Sequence, residues 1–304
     1  MHTRAGISEL LHTHGLAARR DLGQNFVVDP NTVRRIARLA AVGVGDSVVE
    51  IGAGFGSLTL ALAETGATVV AVELDRGIVA VLRDVMAGHP NVRVVEGDAL
   101  RIDWQAVLAD VPLADVPLDD QQPDTQQPGT GQQPGIGQRP GTGVRWVLVA
   151  NLPYNVATPL VCDLLDGVPA IERMLVMVQR EVGERMCAAP RTAAYGAVSV
   201  KVAYWSTSKL VGFVPASVFL PRPNVESALV EIRRREVPAV DVPADKLFHL
   251  VRTAFGQRRK MLRRSLAGVV TPEAFEAAGI DPQRRPEELG IVEWGALTAA
   301  WDGP

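Results

Sequence analysis

Ser47-Val-Val-Glu-Ile-Gly-Ala-Gly-Phe-Gly56 is the stretch that decides the architecture of this chain. A short run of strand-forming residues ends in three alternating glycines, and a helical stretch, Ser57 to Glu64, follows directly. Strand, glycine turn and helix in that order begin a βαβ unit, whose glycines let backbone approach a ligand at the carboxyl end of the strand. Further β-rich runs lie at Thr68–Leu74, Asn91–Val95, Trp146–Ala150 and Met174–Val178, with helical stretches such as Thr32–Ala41 and Arg76–Gly88 between them. Strands alternating with helices predict a parallel sheet covered on both faces. Ala197–Trp205 and Glu226–Arg234, separated by a proline-rich loop, read as two more strands forming an antiparallel edge. From about residue 240 the pattern is helical. The expected fold is therefore α/β, a Rossmann-like sheet domain over 1–238 and a smaller all-α domain over 239–304.

The 304 residues suffice for such a pair of domains, and 47% hydrophobic with 21% charged residues is a globular balance. No apolar run approaches the roughly 20 residues of a membrane span, and the first residues lack the layout of a secretory signal. Two cysteines, Cys162 and Cys187, are too few for a disulfide framework and lack metal-ligand spacing, so no metal site and a cytoplasmic location are expected. Residues 110–143, rich in Pro, Gly, Gln and Asp, read as a disordered surface insertion. The net charge of −3 neither supports nor excludes a nucleic-acid partner, because acidic residues gather in that insertion and Arg258, Arg259, Lys260, Arg263 and Arg264 gather near the C-terminus.

Two sets of strand ends carry chemistry. Gly52 and Gly54 lie in a G-x-G-x-G arrangement, and Glu73 ends the next strand, where a ribose hydroxyl pair needs an anionic acceptor. A dinucleotide site would want G-x-G-x-x-G; the spacing here suits S-adenosylmethionine better than NAD. Asp98, at the third strand end, can accept from the exocyclic amine of an adenine ring, although a lone aspartate there also suits a helix cap. Strand Trp146–Ala150 runs into Asn151-Leu152-Pro153-Tyr154, which suits methylation of an adenine amine. That amine is a poor nucleophile because its lone pair is delocalised into the ring. The Asn151 side-chain oxygen and the Leu152 carbonyl can accept both N6 hydrogens, Pro153 stiffens the turn, and Tyr154 can stack on a flipped or single-stranded base.

These motifs together resemble the ribosomal RNA adenine N6,N6-dimethyltransferase family, in its small-subunit form. Leu22-Gly-Gln-Asn-Phe26 with Asp29, Val49-Glu-Ile-Gly-Ala-Gly-Phe-Gly-Ser-Leu-Thr59, Ala71-Val-Glu-Leu-Asp75, Gly97-Asp-Ala-Leu100 and Asn151-Leu-Pro-Tyr-Asn-Val-Ala-Thr-Pro159 follow in the family's order. Gln179–Arg185, Tyr195–Ser199, Val214–Phe219 and Ala254–Leu262 match as well, so the resemblance spans roughly 20–290 apart from the insertion. It implies S-adenosylmethionine as cofactor, contacted by Gln24, Asn25 and Val27 on an N-terminal lid, by Gly52, Gly54, Glu73 and Leu74, and by Asp98, Ala99 and Asn151. It also implies dimethylation of two adjacent adenosines in the 3′-terminal hairpin of 16S rRNA, a part in subunit maturation, and Phe219 packing on the target base or in the core. The sequence departs from the family in Asp21, Ala53 and Arg264, where basic residue, proline and asparagine are usual, and in the insertion. Arg258, Arg259, Lys260, Arg263 and Arg264 would share one face if helical, an RNA-backbone footprint without acidic partners at four-residue spacing. Three other readings stay open: a 23S rRNA adenine methyltransferase of the macrolide-resistance type, a non-catalytic assembly factor, and an NAD-dependent oxidoreductase. A monomer is expected.

Overall fold

A computed structural model describes residues 1–19, 21–109 and 145–303; the stretch read as a disordered insertion lies outside them. The chain opens with α1 (Arg4–Thr13), the two-residue strand β1 (Phe26–Val27) and α2 (Pro30–Ala40). Strand and helix then alternate through β2 (Ser47–Ile51), α3 (Ser57–Ala63), β3 (Thr68–Glu73), α4 (Arg76–Met86), β4 (Val92–Glu96), α5 (Trp104–Ala109), β5 (Trp146–Asn151), α6 (Ala157–Gly167) and β6 (Ile171–Gln179). Two helices, α7 (Arg180–Met186) and α8 (Ala197–Trp205), precede β7 (Ser206–Val214), β8 (Phe219–Leu220) and β9 (Ser227–Arg234). Helices α9 (Ala244–Gly256), α10 (Leu262–Ser265), α11 (Pro272–Ala277) and α12 (Ile291–Ala300) follow.

The main sheet has the order β4-β3-β2-β5-β6-β9-β7, parallel from β4 to β6 and antiparallel at β9 and β7. Strand order reverses between β2 and β5, since β3 lies on one side of β2 and β5 on the other. Ligands of open α/β sheets bind outside the carboxyl ends at such a switch point, and the glycine loop after β2 and the Asn151 turn after β5 both leave the sheet there. Alanine, valine and leucine fill the central strands: all five residues of β2 are buried, as are Val69 to Glu73 of β3. Both faces are therefore covered, as a parallel sheet requires.

Ala197–Trp205, expected as a strand, is helix α8. Its Val-Ser-Val-Lys-Val alternation imitates a two-residue period because the helix is apolar on two sides. Val202 packs in the sheet's cluster, while Val200 and Tyr204, four apart, pack with Leu247, Val251 and Trp294 of the C-terminal helices. The Ser199 hydroxyl accepts the Gly196 amide at 3.0 Å and fixes the start of the helix. The antiparallel edge exists, formed by β9 with β7, which begins only at Ser206. No helix among the described residues is long and apolar enough to cross a membrane.

Candidate active site

The glycine loop is clamped over the end of β3. The Gly52 and Ala53 amides both donate to the Val72 carbonyl, at 2.9 and 3.3 Å. Gly54 has φ +57°, and a Cβ there would lie 3.1 Å from the Phe26 ring, so this position takes no side chain without displacing β1. Ala53, where the resembled family favours proline, is not among the residues with positive φ. The Gly54 amide donates to Glu73 Oε2 at 2.8 Å, and the Leu74 and Asp75 amides donate to Oε1 at 2.9 and 3.0 Å. Three backbone donors thus aim one carboxylate, while burial pushes its pKa above the usual carboxylate range.

Beneath this loop lies a second acid that the sequence reading passed over. Glu50 is 2% exposed, accepts from the Thr59 hydroxyl at 2.6 Å and lines the same cavity. Desolvation, with the Glu73 charge adding to it, raises its pKa to about 8. Glu50 is therefore protonated at neutral pH. The folded state keeps this proton up to about pH 8, whereas the unfolded chain releases it above its ordinary value, so stability falls as pH rises between those limits and levels off beyond. Glu50→Gln should remove that dependence, and between pH 5 and pH 8 the variant should gain on the parent by up to about 1.4 kcal/mol per pH unit. Denaturant unfolding across that range checks it; parallel stability curves would mean Glu50 ionises normally.

At the third strand end, Asp98 Oδ1 accepts from the Leu100 amide at 3.0 Å, and the Asp98 carbonyl accepts from Arg101 and Ile102 at 2.8 Å. The aspartate thus closes its own turn and caps no helix, since Asp103 Oδ1 accepts from the first amides of α5, and it lines the cavity with Ala99 and Leu74.

The Asn151 turn faces these groups. Asn151 Nδ2 donates to the Asn25 carbonyl at 2.9 Å, which fixes the amide's orientation because a carbonyl can only accept. Its Oδ1 is buried and has no hydrogen-bond partner among the described residues. A buried acceptor without a donor is costly, and here it belongs to a residue of the cavity wall. The Leu152 amide donates to Met177 at 3.0 Å, holding the turn on β6, and Tyr154 OH meets Ser227 Oγ at 2.7 Å, fixing the ring from the β9 side. The lid is tied down on both sides: Gln24 Nε2 donates to Asp75 at 3.2 Å and Asn155 Nδ2 to the Asp21 carbonyl at 3.2 Å.

Together these elements enclose a cavity of about 220 Å³ to which Gln24, Asn25, Val27, Gly52, Gly54, Glu73, Leu74, Asp98, Ala99 and Asn151 to Tyr154 all contribute. Ile7, on a helix not anticipated from sequence, adds to its wall. Thr3, whose hydroxyl accepts the Gly6 amide at 3.3 Å, and Gly15 at φ +62° mark the ends of α1 and were its legible signals.

Two expectations are corrected. Phe219 is fully buried with Val27, Val33, Ile36 and Leu229 and does not line the cavity, because β8 pairs it with Val27 and turns its ring into the core. Nor do the C-terminal cations share one helical face. Helix α9 stops at Gly256, Arg258 to Lys260 occupy a turn, and Arg263 and Arg264 belong to α10. Arg258 is half-buried, pairing with Glu287 at 2.6 Å and donating to the Ala193 carbonyl at 2.9 Å, whereas Arg259, Lys260, Arg263 and Arg264 are exposed.

A glycine loop and an acidic strand end facing an Asn-Leu-Pro-Tyr turn across the switch point of such a sheet define a Rossmann-like methyltransferase. Residues 15–296 match the model of the ribosomal RNA adenine dimethylase family, and the chain belongs to that family. The ribosomal RNA small subunit methyltransferase A of Moorella thermoacetica is 41% identical over 295 residues, covering 95% of this chain and 94% of its own length. The protein of the same name from Thermobifida fusca is 40% identical over 305 residues, 97% of this chain and 94% of its own. Among solved structures, a dimethyladenosine transferase from Plasmodium falciparum superposes with a TM-score of 0.67 at 22% identity, covering 88% of this chain and 94% of its own. The 23S rRNA methyltransferase ErmE does so with 0.62 at 23% identity, covering 91% and 100%. These two likenesses are of fold.

Proposed function

We propose that this chain transfers methyl groups from S-adenosylmethionine to N6 of two adjacent adenosines in the 3′-terminal hairpin of 16S rRNA, within the small ribosomal subunit. The observation that carries this reading is Asn151 Oδ1, a buried acceptor without a donor among the described residues, beside a cavity that an adenine amine can enter. Asn151 Oδ1 and the Leu152 carbonyl receive the two N6 hydrogens and hold the nitrogen nearer tetrahedral geometry, which restores its lone pair as a nucleophile. Tyr154, braced by Ser227, offers its ring as the stacking platform for a base taken out of its stack. The neighbouring strand ends would hold the cofactor: Glu73 would take the ribose hydroxyls, Gly52 and Gly54 would let the backbone come close, and Asp98 would take the adenine amine. When bound, S-adenosylmethionine supplies an electrophilic methyl on a sulfonium.

The small subunit is favoured over 23S rRNA by the names that relatives at 40–41% identity bear. Residues 239–304 engage the subunit as a helical unit, with Arg259, Lys260, Arg263 and Arg264 neutralising phosphates and Arg258 bracing the turn that presents them. The protein works as a monomer in the cytoplasm and contributes to subunit maturation. Labelled methyl transfer to undermethylated small subunits, with large-subunit RNA in parallel, tests the reading. N6,N6-dimethyladenosine in the small-subunit RNA alone is the expected product. Label only in large-subunit RNA would make the chain a resistance-type enzyme, and subunit binding without label would make it an assembly factor.

A further inference from the structure

The free edge of the sheet, β7, carries an aromatic residue that the site described above does not use. Phe213 is 44% exposed, although an outward phenylalanine on an edge strand invites unwanted association. The Arg180 guanidinium carbon lies 4.9 Å from its ring centroid, itself steadied by Glu184 and Glu226 at 2.8 and 3.0 Å. On the other side of the strand, the Arg35 guanidinium of α2 lies over Gly212 and donates to the Phe213 carbonyl at 3.2 Å. Arg34, Arg35 and Arg38 are all exposed on α2, whose opposite side is buried through Val33, Ile36, Ala37 and Ala40. No carboxylate among the described residues forms an ion pair with any of the three. In a chain of net charge −3, α2 thus carries a local concentration of positive charge without carboxylate partners among the described residues, across the edge strand from the exposed ring.

The edge also faces the reaction. In register, Val214 of β7 lies opposite Ser227 of β9, and Ser227 holds the Tyr154 hydroxyl. Phe213 lies one residue back, opposite Ala228, which in turn lies opposite Val178 of β6. Three strand spacings separate β7 from the β5 strand that ends in Asn151, about 15 Å at ordinary sheet spacing. An RNA strand whose target base enters the cavity reaches this edge within a few nucleotides.

We propose that Phe213 and the arginines of α2 form a contact for the single-stranded RNA flanking the target adenosine. Phe213 stacks on a nucleobase, and Arg34, Arg35 and Arg38 hold the adjoining phosphates. Exposed aromatic rings beside guanidinium groups suit unpaired RNA, because every base has a π face and every linkage an anion. The contact rests on the reading of the chain as an rRNA methyltransferase and adds to it a second binding region, away from the C-terminal cations.

The test uses the full chain, undermethylated small subunits and labelled methyl transfer. Phe213→Leu, which keeps apolar volume but no aromatic face, should raise KM for subunits about tenfold, with kcat within about twofold. Phe213→Tyr should restore most of that affinity. The double variant Arg34→Gln with Arg38→Gln, at exposed positions without ion pairs, should reduce the salt slope of log KM by about 1.4, or about 0.7 for each phosphate of a single strand that is no longer neutralised. Thermal unfolding separates these effects from damage to the fold. An active parent whose Phe213→Leu and arginine variants share its KM and salt slope would overturn this RNA-binding edge alone. A parent that transfers nothing to subunits would overturn both the edge and the reading beneath it.

Discussion

Asn151→Ala should lower the rate of methyl transfer by about 10²–10³-fold while the cofactor still binds, several-fold more weakly. The size follows from what the side chain is placed to do. Removing one preorganised group aimed at a reacting centre costs this much where the centre is shielded from water, and Asn151 Oδ1 is such a group, buried and without a donor among the described residues. Its own amide nitrogen is engaged by the Asn25 carbonyl at 2.9 Å, so the oxygen is held in place before any substrate arrives. The same bond ties β5 to the lid, which is why cofactor affinity drops modestly and not severely. Asn151→Asp separates the two roles. It keeps an acceptor but loses the donor to Asn25, bringing an anionic oxygen against a carbonyl; the lid should loosen and transfer should still fall. Single-turnover rates with saturating cofactor, together with calorimetric cofactor binding, check both variants. A transfer rate in Asn151→Ala within a few-fold of the parent would remove the amine-acceptor role and leave the unpaired oxygen without a function.

What the sequence disclosed, and what it concealed, follow from the range of the interactions involved. The glycine loop, Glu73 and the Asn151 turn were readable because each lies at the end of a short β-rich run, and in an open sheet such ends converge. Distance along the chain did not matter: Asn25 and Asn151 are 126 residues apart and share a hydrogen bond. Helix α8 was misread because two separate cores claim its two sides, so its burial has no single helical period. The proton on Glu50 was invisible, since a glutamate in a strand declares neither its burial nor its neighbours. The place of Phe219 and the single helical face expected of the C-terminal cations were hidden for another reason. Residue type alone pointed to function there, while position was set by a two-residue strand pairing and by a helix that ends at Gly256.

Glu73→Gln should weaken S-adenosylmethionine binding by about two orders of magnitude, although the substitution changes almost no volume. Both carboxylate oxygens already accept from backbone, Oε2 from Gly54 and Oε1 from Leu74 and Asp75. An amide in that position must turn its NH₂ toward one of these sets, so a donor meets a donor whichever way it flips. The loop gives way locally, and the ribose hydroxyls lose a charged acceptor, a bond class worth about 1.5–3 kcal/mol. The readout follows from linkage. At a cofactor concentration of about 100 Kd the parent should gain about 2.7 kcal/mol of stability, and a variant bound 100-fold more weakly should gain only about 0.4 kcal/mol. Unfolding with and without cofactor gives both numbers, and the cofactor-free curves report the cost to the loop separately. Equal gains in parent and variant would mean that Glu73 only shapes the turn.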